Sequence, residues 1–172
     1  MTGLGEFNRA PVDEVIAALQ SCCASIAWAQ AVAERRPYES IDELIAIAEL
    51  QWWQLPRLEW LQAFGAHPRI GERAAATPQA GQGDVWSEEE QGAARITKAT
   101  ATRLAELNRE YEEKFGYTYI VFASDKTAEE MIAIAERRVK NEPDAELRIA
   151  AEEQARITRL RLQKLLSVQS ES

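Results

Sequence analysis

Three times in this chain of 172 residues a Ser or Thr is answered by a Glu three places later. The runs are Ser40-Ile41-Asp42-Glu43, Ser87-Glu88-Glu89-Glu90 and Thr127-Ala128-Glu129-Glu130. This is the capping-box pattern, in which the hydroxyl and the carboxylate each satisfy one orphan N–H at a helix start. Apolar residues at helical spacing follow each box. The first opens a helix through Leu44, Ile47, Ala48 and Leu50. The second opens the longest helix, with Ile96, Leu104, Leu107, Tyr111 and Phe115 on one face and Gly116 as its stop. The third opens a helix through Met131, Ile134 and Val139, ending near Asn141 and Pro143.

The remaining segments follow the same period. Val12, Val15, Ile16 and Leu19 predict a helix with Pro11 in its first turn. Ser25 to about Arg35 predicts a second, stopped by Pro37. Leu55 to Phe64 predicts a short helix closed by Gly65. About Asp144 to Leu166 predicts the last, with Leu147, Ala150, Gln154, Ile157, Arg161 and Leu165 close to one stripe. Arg73 to Asp84 is rich in Ala, Gly, Gln and Pro and predicts a loop. Tyr117 to Ala123 is aromatic and β-branched, yet no second segment stands ready to pair with it. The expectation is an all-α, single-domain bundle of about seven to nine helices over residues 1–172, core about 7–166, with one extended segment near 117–123.

Composition narrows the function. The charge balance is 20 basic against 28 acidic residues, net −8. Without a basic stripe the chain is ill suited to nucleic acid or anionic membranes, whose affinity comes from neutralised phosphates. No stretch approaches the roughly 20 apolar residues of a membrane helix. The N-terminus shows no signal-peptide pattern. The two cysteines, Cys22 and Cys23, are adjacent in an apolar helical pattern, which implies buried thiols and a reducing, cytoplasmic setting.

One histidine stands in the whole chain, within Gly65-Ala66-His67-Pro68-Arg69-Ile70-Gly71. An imidazole, with an ordinary pKa of about 6.5, both takes and gives a proton near neutrality. Pro68 biases His67 away from helix, so the ring sits on a stiff turn. It is either a loop residue satisfied by a backbone carbonyl or the chain's one imidazole acid–base group. Ser87, Glu90 and Gln91 carry two readings as well. They form a structural cap, or they flank the N–H donors of a helix start, a ready anion site. Arg161 sits near an apolar stripe, where it is either a snorkelling cation or a partner for an anion. One His without a His/Cys cluster argues against zinc. No glycine-rich phosphate loop is present.

Taken together, the motifs resemble the OHCU decarboxylase family, which acts on 2-oxo-4-hydroxy-4-carboxy-5-ureidoimidazoline. The pieces are Phe7-Asn8, Trp28, Arg36-Pro37-Tyr38-x-Ser40, and Ala63-Phe64-x-Ala66-His67-Pro68-Arg69-Ile70-Gly71. They continue with Ser87-x-x-Glu90-Gln91, Leu107-Asn108-x-x-Tyr111-x-x-Lys114-Phe115-Gly116, Arg138-x-x-Asn141 and Ile157-x-x-x-Arg161-Leu162. Tyr38, Tyr117 and Tyr119 stand where the family commonly has Phe. The resemblance implies cofactor-free decarboxylation of OHCU to (S)-allantoin, the last step from urate to allantoin. It implies His67 and Glu90 as catalytic residues, and Pro68, Ser87, Gln91, Tyr117, Tyr119, Ile120 and Arg161 as substrate contacts, with backbone groups serving around Tyr117 and Tyr119. Glu90 would either orient the imidazole or polarise the substrate hydroxyl. Phe64, Trp86 or Tyr119 would wall the departing carboxylate. No metal and no cofactor are implied, and the partners are the small-molecule substrate and a second copy in a homodimer. The rival readings are a non-catalytic helical interaction module and a metal-dependent ureide hydrolase.

Overall fold

The computed structural model describes residues 3–71 and 97–167. Among them are eight helices and no strand. They are α1 (Leu4–Arg9), α2 (Val12–Cys22), α3 (Ile26–Glu34), α4 (Ile41–Gln54), α5 (Arg57–Gly65), α6 (Lys98–Phe115), α7 (Ala128–Arg138) and α8 (Pro143–Leu166). The chain divides into two compact units, Met1–Ala63 with Ala155–Ser172, and Phe64–Gln154.

Helix boundaries follow local chemistry. Thr127 and Glu130 form the full reciprocal box at the start of α7. Ser40 accepts the Glu43 N–H, but the Glu43 carboxylate reaches back to the N–H of Glu39 instead of Ser40. Ser25 caps α3 by accepting the Trp28 N–H at 3.1 Å. Gly116 closes α6 in the left-handed conformation, φ 81°, as only glycine does without strain.

Several boundaries correct the sequence reading. Pro11 is the N-cap of α2 and not part of its first turn. Gly65 lies inside α5. The helix that carries Leu104, Leu107, Tyr111 and Phe115 starts at Lys98, where extended Thr97 caps it through its own hydroxyl. At 18 residues it is shorter than the 24-residue α8. The short α1 was not expected from the sequence. The expected loop Arg73–Asp84, and the box at Ser87, lie outside the described residues.

In the first unit, two of the family pieces meet. Asn8 and Tyr38 exchange hydrogen bonds: Asn8 Nδ2 to the Tyr38 carbonyl (2.8 Å) and the Tyr38 N–H to Asn8 Oδ1 (2.9 Å). Arg36 donates to the carbonyls of Phe7 and Ala10 at the end of α1. The Tyr38 hydroxyl, absent from a Phe, donates to the Val32 carbonyl at 2.6 Å. Trp28, fully buried, donates its indole N–H to the Ala48 carbonyl and so ties α3 to α4.

In the second unit, α6 and α7 pack around Leu104, Leu107, Tyr111, Tyr119 and Met131. Residues 118–123 between these helices take no regular structure, and Tyr119, Ile120, Val121 and Ala123 are buried. Such backbone needs partners, and the neighbouring helices supply several of them.

Candidate active site

The His67 turn is held to α6 at three points. Asn108 Nδ2 donates to the Ile70 carbonyl at 3.0 Å. Arg69 makes a two-pronged ion pair with Glu112, at 2.7 and 3.0 Å. Ile70 is buried in the α6–α7 core. Gly71 then turns with φ 86°, where an added Cβ would meet Leu104 at 3.4 Å. The His67 N–H bonds the Phe64 carbonyl at the end of α5. His67 itself is half-buried, and its Nε2 lies 2.6 Å from Oε1 of Gln154, which is fully buried on α8. Pro68 beside it is also half-buried.

The segment carrying Tyr117, Tyr119 and Ile120 is fixed by the same helices. Arg138 of α7 donates to the Ile120 carbonyl at 2.6 Å. Its guanidinium pairs with Glu146 of α8 at 2.7 Å, and both side chains are buried. Glu146 also accepts from the Tyr111 hydroxyl (2.6 Å) and Asn141 Nδ2 (2.9 Å). Burial pushes the Tyr111 phenol far up, against the pull of Arg138, so it stays a donor. Glu153 Oε2 accepts the Phe122 N–H at 2.8 Å. Lys114 donates to the carbonyls of Val139 and Asn141 beyond α7.

The Tyr119 hydroxyl donates to the Met131 carbonyl at 3.1 Å. Its hydroxyl is thus satisfied within the protein. Tyr117 packs on Phe64, with ring centroids 5.3 Å apart. Phe64 and Tyr119 are buried in the interior. Ser87, Glu90, Gln91 and Trp86 lie outside the described residues.

In the first unit Arg161 is 5 % exposed, which removes the solvated reading. Its charge draws down the thiols of Cys22 and Cys23, though burial wins and holds Cys23 up at about 11. Both thiols are free and buried. Among the described residues no cluster of three His, Cys, Asp or Glu side chains is placed to hold a metal. No described helix is long and apolar enough to cross a membrane.

Sequence reasoning missed Gln154, Glu146 and Glu153 as parts of this arrangement. In the sequence Gln154 is one position of the apolar stripe, and the two glutamates leave no local signal.

An all-helical protein with one imidazole on a pinned turn has the makings of a small acid–base enzyme. Comparison with known proteins gives that class its particular form. The chain matches the OHCU decarboxylase family over residues 8–163, and it belongs to that family. It is 35 % identical over 147 residues to the uric acid degradation bifunctional protein TTL of Arabidopsis thaliana, covering 85 % of this chain and 45 % of that one. It thus spans less than half the length of the plant relative. It is 30 % identical to the 2-oxo-4-hydroxy-4-carboxy-5-ureidoimidazoline decarboxylase of Haloferax volcanii, covering 95 % and 96 % of the two chains. A crystal structure of OHCU decarboxylase in the presence of (S)-allantoin superposes with a TM-score of 0.75 at 34 % identity, covering 87 % of this chain and 97 % of that one.

Proposed function

We propose that this chain, a carboxy-lyase of the OHCU decarboxylase family, converts OHCU to (S)-allantoin with His67 and Glu90 as its acid–base pair. The observation that carries the assignment of roles is the chain's single imidazole, half-buried on a turn that α6 and Gln154 both hold.

The substrate carries a hydroxyl and a carboxylate on one ring carbon, next to a ring C=N. When the bond to the carboxylate breaks, CO₂ departs and its electron pair forms a C=C with the neighbouring carbon. The C=N pair moves onto the ring nitrogen, which takes a proton. The substrate is its own electron sink, the task that elsewhere falls to a cofactor. His67 takes the hydroxyl proton as the enol becomes a ketone, and a proton returns to one face of the ureido-bearing carbon. That face sets the (S) hand. Glu90 orients the ring or polarises the hydroxyl.

Pro68, Ser87, Gln91, Arg161 and the backbone at Tyr117, Tyr119 and Ile120 are the proposed substrate contacts. The guanidinium of Arg161 suits paired oxygens. The Arg138–Ile120 bond supports the backbone role, since it fixes one carbonyl of that segment in place. The family match runs through both compact units, which supports reading residues 1–172 as one catalytic domain. The resemblance adds a homodimer that acts on a small molecule, and the two free, buried thiols support a cytoplasmic setting. The test is spectroscopic: fresh product of urate oxidation should lose its absorbance much faster with this protein than without it. Equal rates would overturn the proposal.

A further inference from the structure

The 2.6 Å contact between His67 Nε2 and Gln154 Oε1 has a chemical direction. An amide oxygen carries no proton, so the hydrogen on this contact belongs to the imidazole. Nε2–H donates, and in the neutral ring the lone pair falls on Nδ1. Gln154 is 0 % exposed, and the residue before it on α8, Glu153, accepts the Phe122 N–H.

We propose that Gln154 is the positioning residue of His67, fixing the Nε2–H tautomer and the ring's orientation so that Nδ1 is the atom that takes and returns the proton. This rests on the acid–base reading of His67 given above. The step balances simply. The substrate's hydroxyl proton passes to Nδ1, giving an imidazolium with Nε2–H still bonded to Gln154. The same proton is then given back to product or solvent, and the ring returns to its starting tautomer. A glutamine suits this task because it is neutral at every working pH. A carboxylate in its place would stabilise the imidazolium and retain the proton.

Because the chain has one histidine, ¹⁵N-histidine labelling reports one ring with no assignment problem. In the resting protein, at a pH where the ring is neutral, Nε2 should show the shift of a protonated nitrogen and Nδ1 that of a lone pair. Q154E keeps an acceptor and should keep this pattern. Q154M fills similar space without the acceptor and should give an averaged pattern of both tautomers. In the OHCU assay Q154M should lower kcat about 10-fold or more, by analogy with the loss seen when the partner that orients a metal-binding imidazole is removed, with KM little changed. A wild-type spectrum with the proton on Nδ1 would overturn the proposal. So would Q154M with an unchanged spectrum and kcat. If Q154M does not fold, the wild-type and Q154E spectra decide alone. The spectrum needs no substrate, so failure of the positioning role shows there, whereas failure of the decarboxylase reading shows only in the assay.

Discussion

Arg138 and Glu146 form a buried ion pair at 2.7 Å, and through it two helices grip one carbonyl of the segment 118–123. Removing one member leaves the other charge buried and uncompensated, which costs about 3–5 kcal/mol. Glu146→Gln keeps the shape and a hydrogen bond to Tyr111, so the loss reads the charge. The urea midpoint should fall accordingly, and the folded fraction should turn over OHCU more slowly because the Ile120 backbone has lost its anchor. An unchanged midpoint would mean that the pair does not hold this segment.

Glu90 separates cap from catalyst. Gln serves as well as Glu in a capping box. Glu90→Gln should therefore leave the Tm nearly unchanged while kcat falls about 10²-fold or more, the scale for a lost acid–base group. A lower Tm with normal kcat would return Glu90 to a structural role.

Arg161 is tested by geometry. A Lys cannot copy a planar fork, so Arg161→Lys should weaken allantoin binding by about 1.5–3 kcal/mol, the range for hydrogen bonds to charged groups. Arg161→Ala should be worse. Calorimetric titration beside a melting curve reads both quantities. Unchanged affinity with a lost Tm would make the residue structural.

Alkaline pH should destabilise the fold. Burial raises Cys23 from about 9 to about 11 and Tyr38 from about 10 to about 12. The unfolded chain loses these protons first. Stability is therefore fully present below about pH 9 and falls as pH rises through about 11 to 12. Urea midpoints at pH 7.5 and 10.5 check this, and equal midpoints would contradict it.

What the sequence made legible was what depends on near neighbours. The Thr127–Glu130 box and the Gly116 stop are settled within four residues, and both appear where the sequence places them. The stripe on α8 is buried from Leu147 to Arg161, as its period requires. The Thr97 start was hidden because its third neighbour is Thr100, not Glu. In the site, His67 stood out by being alone. Gln154, Glu146 and Glu153 did not, because a polar residue on a helix looks the same in sequence whether it faces water or holds a distant loop. Asn108 was visible in a family motif, but its work, the bond to the Ile70 carbonyl, belongs to the tertiary structure.

The most direct measurement follows the optical activity of allantoin formed from fresh OHCU by chelator-treated protein, wild type beside His67→Asn. The account predicts rapid formation of the (S) form by wild type, and a drop of about 10²-fold or more in kcat for a still-folded His67→Asn. Racemic product at the uncatalysed rate, a strict need for added metal, or near-full activity in His67→Asn would contradict it.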